Sequence, residues 1–360
     1  MTTGNKGEWS EFYAFLKILA DGKLFAADKD LEKIAEKYFD VLQVIREEAK
    51  TGRKTYELLG RKGEILILDE DNNKIDVIDS GSISRKAEKI FEKIKSSSET
   101  TFGSSEGEEA MKELHCTQIK AASHKKADLF LKIYDRISPT TPDLGFSVKS
   151  MLGSPSTLLN ASSATNFVYR IKGNVNIKEV NSIDGTSKIR DRIEKIESSG
   201  GVIEYSHMDS EEFEKNLRMI DTMFPQMMAL VVKAFYGGHG RTLDELVSYL
   251  DKEEIIQKQF RLSYNDYSYK IKHFLMSVAL GMTPQGEWNG LTEAHGGYII
   301  VREDGEVVCY HLYNRDQFQE YLFENTKLET PSSSRHGFGS VYEENGEHFI
   351  KLNLQIRFIK

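Results

Sequence analysis

The chain has 360 residues, of which 39% are hydrophobic and 29% charged, a composition that excludes a disordered or collagen-like protein and leaves ample length for a buried core. With 48 Lys and Arg against 56 Asp and Glu the net charge is −8, which argues against a general binder of polyanions. Cys116 and Cys309 are too few for a zinc site of their own or a disulfide framework. Apolar runs such as residues 227–232 are far short of the ~18 residues of a membrane span. No apolar signal stretch follows Met1, so a cytoplasmic protein is expected.

The spacing of apolar residues predicts an amphipathic helix over 7–21 and a second helix, or a pair, over 28–50. Residues 64–79 read as a hairpin, with Ile-Leu-Ile-Leu and Ile-Asp-Val-Ile around the turn Asp71-Asn72-Asn73. Helices are expected at 83–95 and 106–114, across a polar linker at 96–105. The segment 117–172 reads as strands at 128–134, 145–149 and 166–171. Helices dominate 186–281, notably 209–235 and 267–280. The end of the chain returns to β-structure, with hairpins at 297–313 and 340–359 flanking a helix near 315–325. The pattern is an α/β body, a helical insert and a β-rich C-terminal part.

Charge is unevenly spread along this pattern. Residues 114–178 hold nine basic residues and three acids, Asp128, Asp135 and Asp143, and residues 144–178 hold no acid at all. The average density would put five or six acids in that last stretch. A neutral-to-basic island in an acidic protein suits a surface that faces phosphates.

Inside the island lies the most informative constellation. Lys125-Lys126-Ala127-Asp128 opens one strand, and Ser147-Val148-Lys149 follows on its expected antiparallel neighbour. Side chains alternate along a strand, so Ser147 and Lys149 project from one face. A carboxylate at Asp128 suits Mg²⁺, which takes one or two carboxylates and keeps several waters. The Val148 carbonyl is a further candidate ligand, and Lys149 a candidate to orient and help deprotonate an attacking water beside a phosphate. One metal-binding carboxylate is missing from this set. The first helix offers Glu11, on the flank of the apolar arc formed by Trp9, Phe12, Phe15, Leu16, Ile18 and Leu19, with Glu8 as the fallback. Asn5-Lys6-Gly7-Glu8 also fits a capping box, which gives Glu8 a structural reason of its own. Asp143, in Thr141-Pro142-Asp143-Leu144, reads as a turn residue.

The constellation resembles the PD-(D/E)xK nuclease signature, with Asp128 in the first acidic slot, Lys149 in the lysine slot, Ala127 replacing the usual proline and Ser147 replacing the second acid. A Ser-x-Lys version with a displaced glutamate resembles restriction enzymes that cut CCGG-containing sites, and Gly7-x-x-x-Glu11 resembles the helix-borne glutamate of related resolvases and nucleases. Longer runs carry a fuller resemblance: Lys6-Gly-Glu-Trp-Ser-Glu-Phe-Tyr13, Gly145-Phe-Ser-Val-Lys-Ser150, Leu152-Gly-Ser-Pro-Ser-Thr-Leu-Leu-Asn-Ala-Ser162, Thr165-Asn-Phe167, Thr330-Pro-Ser-Ser-Ser-Arg-His-Gly-Phe-Gly339 and Lys351-Leu-Asn-Leu-Gln-Ile-Arg-Phe358. They resemble the HpaII family of type II restriction endonucleases, from residue 6 to residue 358. The resemblance implies a PD-(D/E)xK restriction-endonuclease-like core, a mixed sheet flanked by helices. It implies Mg²⁺-dependent cleavage of double-stranded DNA at CCGG after the first C, with a 5′ overhang, and a methyltransferase that protects host DNA at the same sequence. It divides the chain into a catalytic core at 1–180, a helical region at 181–285 for structure, dimerisation or a DNA clasp, and a DNA-recognition region at 286–360.

The last strand points the same way. Lys351, Asn353, Gln355 and Arg357 alternate with Leu352, Leu354, Ile356 and Phe358, so an acid-free polar face backs an apolar one. Ser333, Ser334, Arg335 and His336 read as a polar loop, with Arg335 suited to a bidentate contact with guanine. Ser154, Ser156, Thr157, Asn160 and Asn166 follow the catalytic strand and suit backbone phosphates, as do Lys125 and Lys126. Gly237-Gly238-His239-Gly240-Arg241 follows a helix and reads as its C-cap rather than a phosphate loop. Met223, Met227 and Met228 read as core or subunit-interface packing. A palindromic target is most simply read by a twofold homodimer, with a monomer nicking the strands in turn as the other arrangement. Two alternatives stand beside this reading: a PD-(D/E)xK nuclease of another DNA specificity, and a DNA-binding relative whose catalytic site has decayed at Ser147.

Overall fold

The computed structural model describes residues 2–49, 51–60, 63–121, 127–134 and 140–359. The chain is a mixed α/β protein that divides into two compact units, Met1–Ser156 with Thr292–Phe318 and Thr157–Leu291 with Gln319–Ile359. These units cut across the three consecutive segments expected from the sequence. The hairpin Gly297–Val301 and Val307–His311 belongs to the first unit because Gly297–Val301 pairs in parallel with Asp143–Ser150.

The first unit is built on nine strands in the order Lys23–Ala27, Val307–His311, Gly297–Val301, Asp143–Ser150, Leu129–Tyr134, Lys33–Glu48, Gly52–Leu58, Glu64–Leu68 and Lys74–Asp79. Lys23–Ala27 also pairs with the start of Lys33–Glu48, closing the first six of these strands into a ring. The helix expected at 28–50 is therefore a sixteen-residue strand. Its Glu, Lys and Ala residues favour a helix locally. The interstrand pairings it makes with three neighbours, together with its Tyr, Phe, Val and Ile side chains, decide otherwise.

The helix expected at 7–21 forms over Lys6–Asp21, and nine of its sixteen residues are buried. Trp9, Phe12, Phe15 and Leu16 share one core with Val44, Tyr56, Leu129, Leu131, Phe146 and Val148. Trp9 donates from its indole to the Phe102 carbonyl at 2.9 Å, and a Cβ at Gly107 would sit 2.4 Å from the Trp9 ring. Only glycine permits that approach. Removing a fully buried Trp of this kind costs about 3–5 kcal/mol. The helices expected at 83–95 and 106–114 are Ser80–Ser96 and Ser105–Glu113, and between them Thr101–Gly103 pairs with Thr3–Asn5.

The second unit carries two antiparallel sheets. One runs Val202–Met208, Asn166–Lys172, Glu347–Asn353, Val341–Glu344; the other runs Thr157–Leu159, Ile356–Phe358, Thr326–Leu328. Val202–Met208 is a strand within the stretch expected to be mainly helical. Helices Glu211–Ile220, Phe224–Tyr236, Leu243–Lys252 and Tyr264–Leu280 pack with them, tied by buried tyrosines whose hydroxyls donate to carbonyls: Tyr169 to Ala229, Tyr267 to Met227 and Tyr236 to Asn353. Met227 and Met228 are buried, whereas Met223 is exposed. No helix of the described residues is long and apolar enough to cross a membrane.

The terminal strand read from the sequence is broken at residues 354–355, and its two pieces enter different sheets. Its apolar side behaves as expected, with Leu352, Leu354, Ile356 and Phe358 all buried. Its polar side does not form one open face. Asn353 is 1% exposed, Lys351 pairs with Asp209 at 2.8 Å, and Arg357 pairs with Glu329 at 2.7 Å. The acids are supplied by other elements, which the strand's own sequence could not reveal.

Candidate active site

Strands Leu129–Tyr134 and Asp143–Ser150 pair antiparallel, with Leu129 opposite Phe146. Asp128 stands one step beyond that pair, opposite Ser147. Its N–H donates to the Phe146 carbonyl at 2.8 Å, and its Oδ2 accepts from the Val148 N–H at 2.8 Å and from the Ser147 hydroxyl at 3.2 Å. Ser147 is buried, so the serine in the acidic slot holds Asp128 rather than adding a charge. Oδ1 of Asp128 accepts no hydrogen bond among the described residues. Asp143 is the first residue of its strand rather than part of a turn, and it pairs across the ladder with Lys132 at 3.7 Å.

The first helix brings Glu11 close enough to Asp128 for their charges to interact. Asn5 caps it, and the box is closed in both directions: the Glu8 N–H donates to Asn5 Oδ1 at 2.9 Å and Glu8 Oε2 accepts the Asn5 N–H at 2.8 Å. Glu8 is thus committed to the cap. Glu11, one turn on, lines a cleft of about 620 Å³ together with Lys6, Val148, Lys149, Ser154 and Ser156. The helix is tied to the end of the lysine-bearing strand by a 2.9 Å hydrogen bond between the Ser150 and Ser10 hydroxyls. Past Leu152 the chain turns at Gly153, where φ is +124° and a Cβ would lie 3.2 Å from the Lys6 side chain, a conformation suited to glycine.

Burial, and then the charge of Asp128, push the Glu11 carboxyl up to about 7, while Lys120 and Lys149 oppose the rise. Lys120 Nζ lies 3.5 Å from Glu11 Oε1. Lys149 has no carboxylate within ion-pairing distance among the described residues. Glu11 and Lys149 thus line one cleft, and Asp128 lies close enough for its charge to act on Glu11. The site lacks any cluster of three His, Cys, Asp or Glu among the described residues. Its donors are oxygens only, which suits a hard cation that retains water and disfavours a zinc-type site.

A family model described as HpaII restriction endonuclease matches residues 5–358. The chain belongs to the HpaII restriction endonuclease family. It is 40% identical over 361 residues to the type II restriction enzyme HpaII of Haemophilus parainfluenzae, across 99% of each chain. No solved structure matches it. The motif runs read from residue 6 to residue 358 thus mark a relationship that spans this HpaII family member nearly end to end.

The other residues singled out in the sequence fall into three groups. Ser154 and Ser156 line the cleft with Glu11 and Lys149. Lys125 and Lys126 lie outside the described residues. The rest belong to the second unit. There Thr157 pairs with Arg357, Asn160 is exposed, Gln355 is half-buried, and Asn166 is buried with its amide donating to Asp209 and to the His336 carbonyl. Ser333, Ser334, Arg335 and His336 form one helical turn capped by Ser332 and ended by Gly337, with Arg335 exposed. Gly237 caps the helix before it, as expected, and His239 stacks on Tyr249. Lys120 was missed: it falls inside the basic island, but no spacing pointed to it.

Proposed function

We propose that this HpaII family member is a type II endonuclease that cleaves double-stranded DNA at CCGG, after the first C and leaving a 5′ overhang, by Mg²⁺-dependent hydrolysis on a PD-(D/E)xK core. The observation that supports this most is that Glu11 and Lys149 line one cleft, with Asp128 close enough for its charge to add to the burial that disfavours the Glu11 carboxylate. Asp128 and Glu11 would hold Mg²⁺, with the Val148 carbonyl as a further oxygen donor. Bound there, the ion supplies positive charge against the negative charge that develops on the phosphate. Ser147 and the Val148 N–H fix the Asp128 carboxylate through Oδ2. Lys149 orients the attacking water, its positive charge eases loss of that water's proton to solvent, and the same charge offsets that of the phosphate. The hydroxyls of Ser154 and Ser156 bind backbone oxygens beside it.

In the second unit Arg335 is the residue suited to guanine, since it is exposed and unpaired among the described residues. Lys351 and Arg357 reach phosphates only by leaving Asp209 and Glu329. A palindromic site is read by a homodimer, and a cognate cytosine methyltransferase protects host DNA in the cytoplasm.

The test is a digest of plasmid DNA of known sequence in Mg²⁺, beside a CpG-methylated copy. Discrete fragments ending at CCGG, absent from the methylated copy, are the expected result. Discrete cuts elsewhere would discard the specificity and keep the chemistry. No cutting by folded protein in Mg²⁺ or Mn²⁺ would overturn the enzymatic reading.

A further inference from the structure

The first unit contains a buried polar cluster that the hydrolysis does not use. Arg46 and Glu48 are 3% and 2% exposed and pair at 3.0 Å. A buried pair of this kind is costly unless its remaining hydrogen-bonding groups are met. Here one short stretch of chain meets them. Arg46 Nη2 donates to the carbonyls of Gln118 and Ile119 at 2.6 and 2.9 Å, and Glu48 Oε2 accepts from the N–H and the hydroxyl of Thr117 at 2.8 and 2.7 Å. Residues 117–119 are therefore clamped through their backbone, and Ile119 is also buried in the core.

The next residue is Lys120, whose backbone starts from that clamp and whose ammonium meets Glu11. The contact is at 3.5 Å and is the one Lys120 makes among the described residues, and its side chain is 43% exposed, so it is open to release. A lysine makes a compact point-charge contact, unlike the two-pronged grip of an arginine on a carboxylate.

We propose that Lys120 is a positioning residue that takes the place of the divalent cation at Glu11 in the metal-free protein and must leave before a cation binds there. The inference rests on the assignment of Glu11 and Asp128 as cation ligands. The Arg46–Glu48 clamp keeps the ammonium at hand, and the long lysine stem lets it withdraw without moving the backbone.

The test is a Mn²⁺ titration of the full-length, DNA-free protein at pH 8.5, with free Mn²⁺ read by electron paramagnetic resonance. Lys120→Met removes a positive charge beside the ligands and is expected to tighten Mn²⁺ binding roughly three- to tenfold. Lys120→Arg keeps the charge and can grip Glu11 with two donors, so it is expected to bind Mn²⁺ no more tightly than wild type. Affinity of Lys120→Met equal to or weaker than wild type overturns the proposal. Glu11→Gln separates the two layers of the argument. If it weakens Mn²⁺ binding while Lys120→Met changes nothing, the displacement idea fails and the ligand assignment stands. If Glu11→Gln leaves Mn²⁺ binding unchanged, both fail.

Discussion

The cleft of the first unit and the broken terminal strand of the second are both rich in polar residues, yet they handle charge in opposite ways. At the cleft, burial and the charge of Asp128 raise the cost of ionising Glu11, Lys120 and Lys149 relieve it in part, and Lys149 has no carboxylate partner among the described residues. On the terminal strand each cation already has an acid: Lys351 has Asp209 and Arg357 has Glu329, while Asn353 is buried among hydrogen bonds. A region with balanced charges holds itself together. A region whose charges are left unbalanced is one that a ligand completes, and the raised Glu11 carboxyl marks it.

Three substitutions sharpen or break this contrast. The largest effect is expected at Lys149, where Lys149→Ala should lower single-turnover cleavage by about 10³-fold with DNA affinity in Ca²⁺ nearly unchanged. Cleavage within about threefold of wild type would remove Lys149 from the chemistry. Next is Asn353, whose Nδ2 donates to the Ser162 carbonyl and to Asn166 Oδ1, both at 2.7 Å. Asn353→Ala should cost about 2–3 kcal/mol in urea unfolding, with DNA affinity of the folded protein preserved. A stable variant that has lost DNA binding would return this residue to the recognition surface.

The smallest effect concerns Glu11 and pH. Its carboxyl is raised from 4.5 to about 7, first by burial and then by Asp128, so folding favours the protonated form. The stability this contributes is whole below pH 4.5 and is lost as the pH rises through about 7. Without divalent cations, Glu11→Gln should therefore gain on wild type across that window, by on the order of 2 kcal/mol. Urea midpoints measured in EDTA between pH 4 and 8 check this; parallel curves for the two proteins would show that Glu11 ionises freely.

Much of the first unit was legible in the residues. The helix Lys6–Asp21 announced itself by its aromatic arc and its capping box, and the hairpin Glu64–Leu68 and Lys74–Asp79 by β-branched residues around a polar turn. Asp128, Ser147 and Lys149 were legible because a strand's alternation is local, and so was the pairing of their two strands. Two readings failed for one shared reason. Lys33–Glu48 carries helix-forming residues but lies among three strands, and Lys351 and Arg357 stand on an acid-free stretch but meet acids from elsewhere. The strand Leu129–Tyr134 and the acids Asp209 and Glu329 all lie far off in the chain.

Periodicity, capping and strand alternation are short-range properties, and they were enough to mark the first helix and the strand pair, while the longer residue runs carried the family resemblance. Tertiary structure decided which charges meet. It turned Ser147 into a donor that holds Asp128, left Glu8 in its cap, and brought Lys120 to Glu11 on a stretch clamped by Arg46 and Glu48. Coulomb interactions and burial depend on distance in space, and distance in space is set only when the whole sheet has formed.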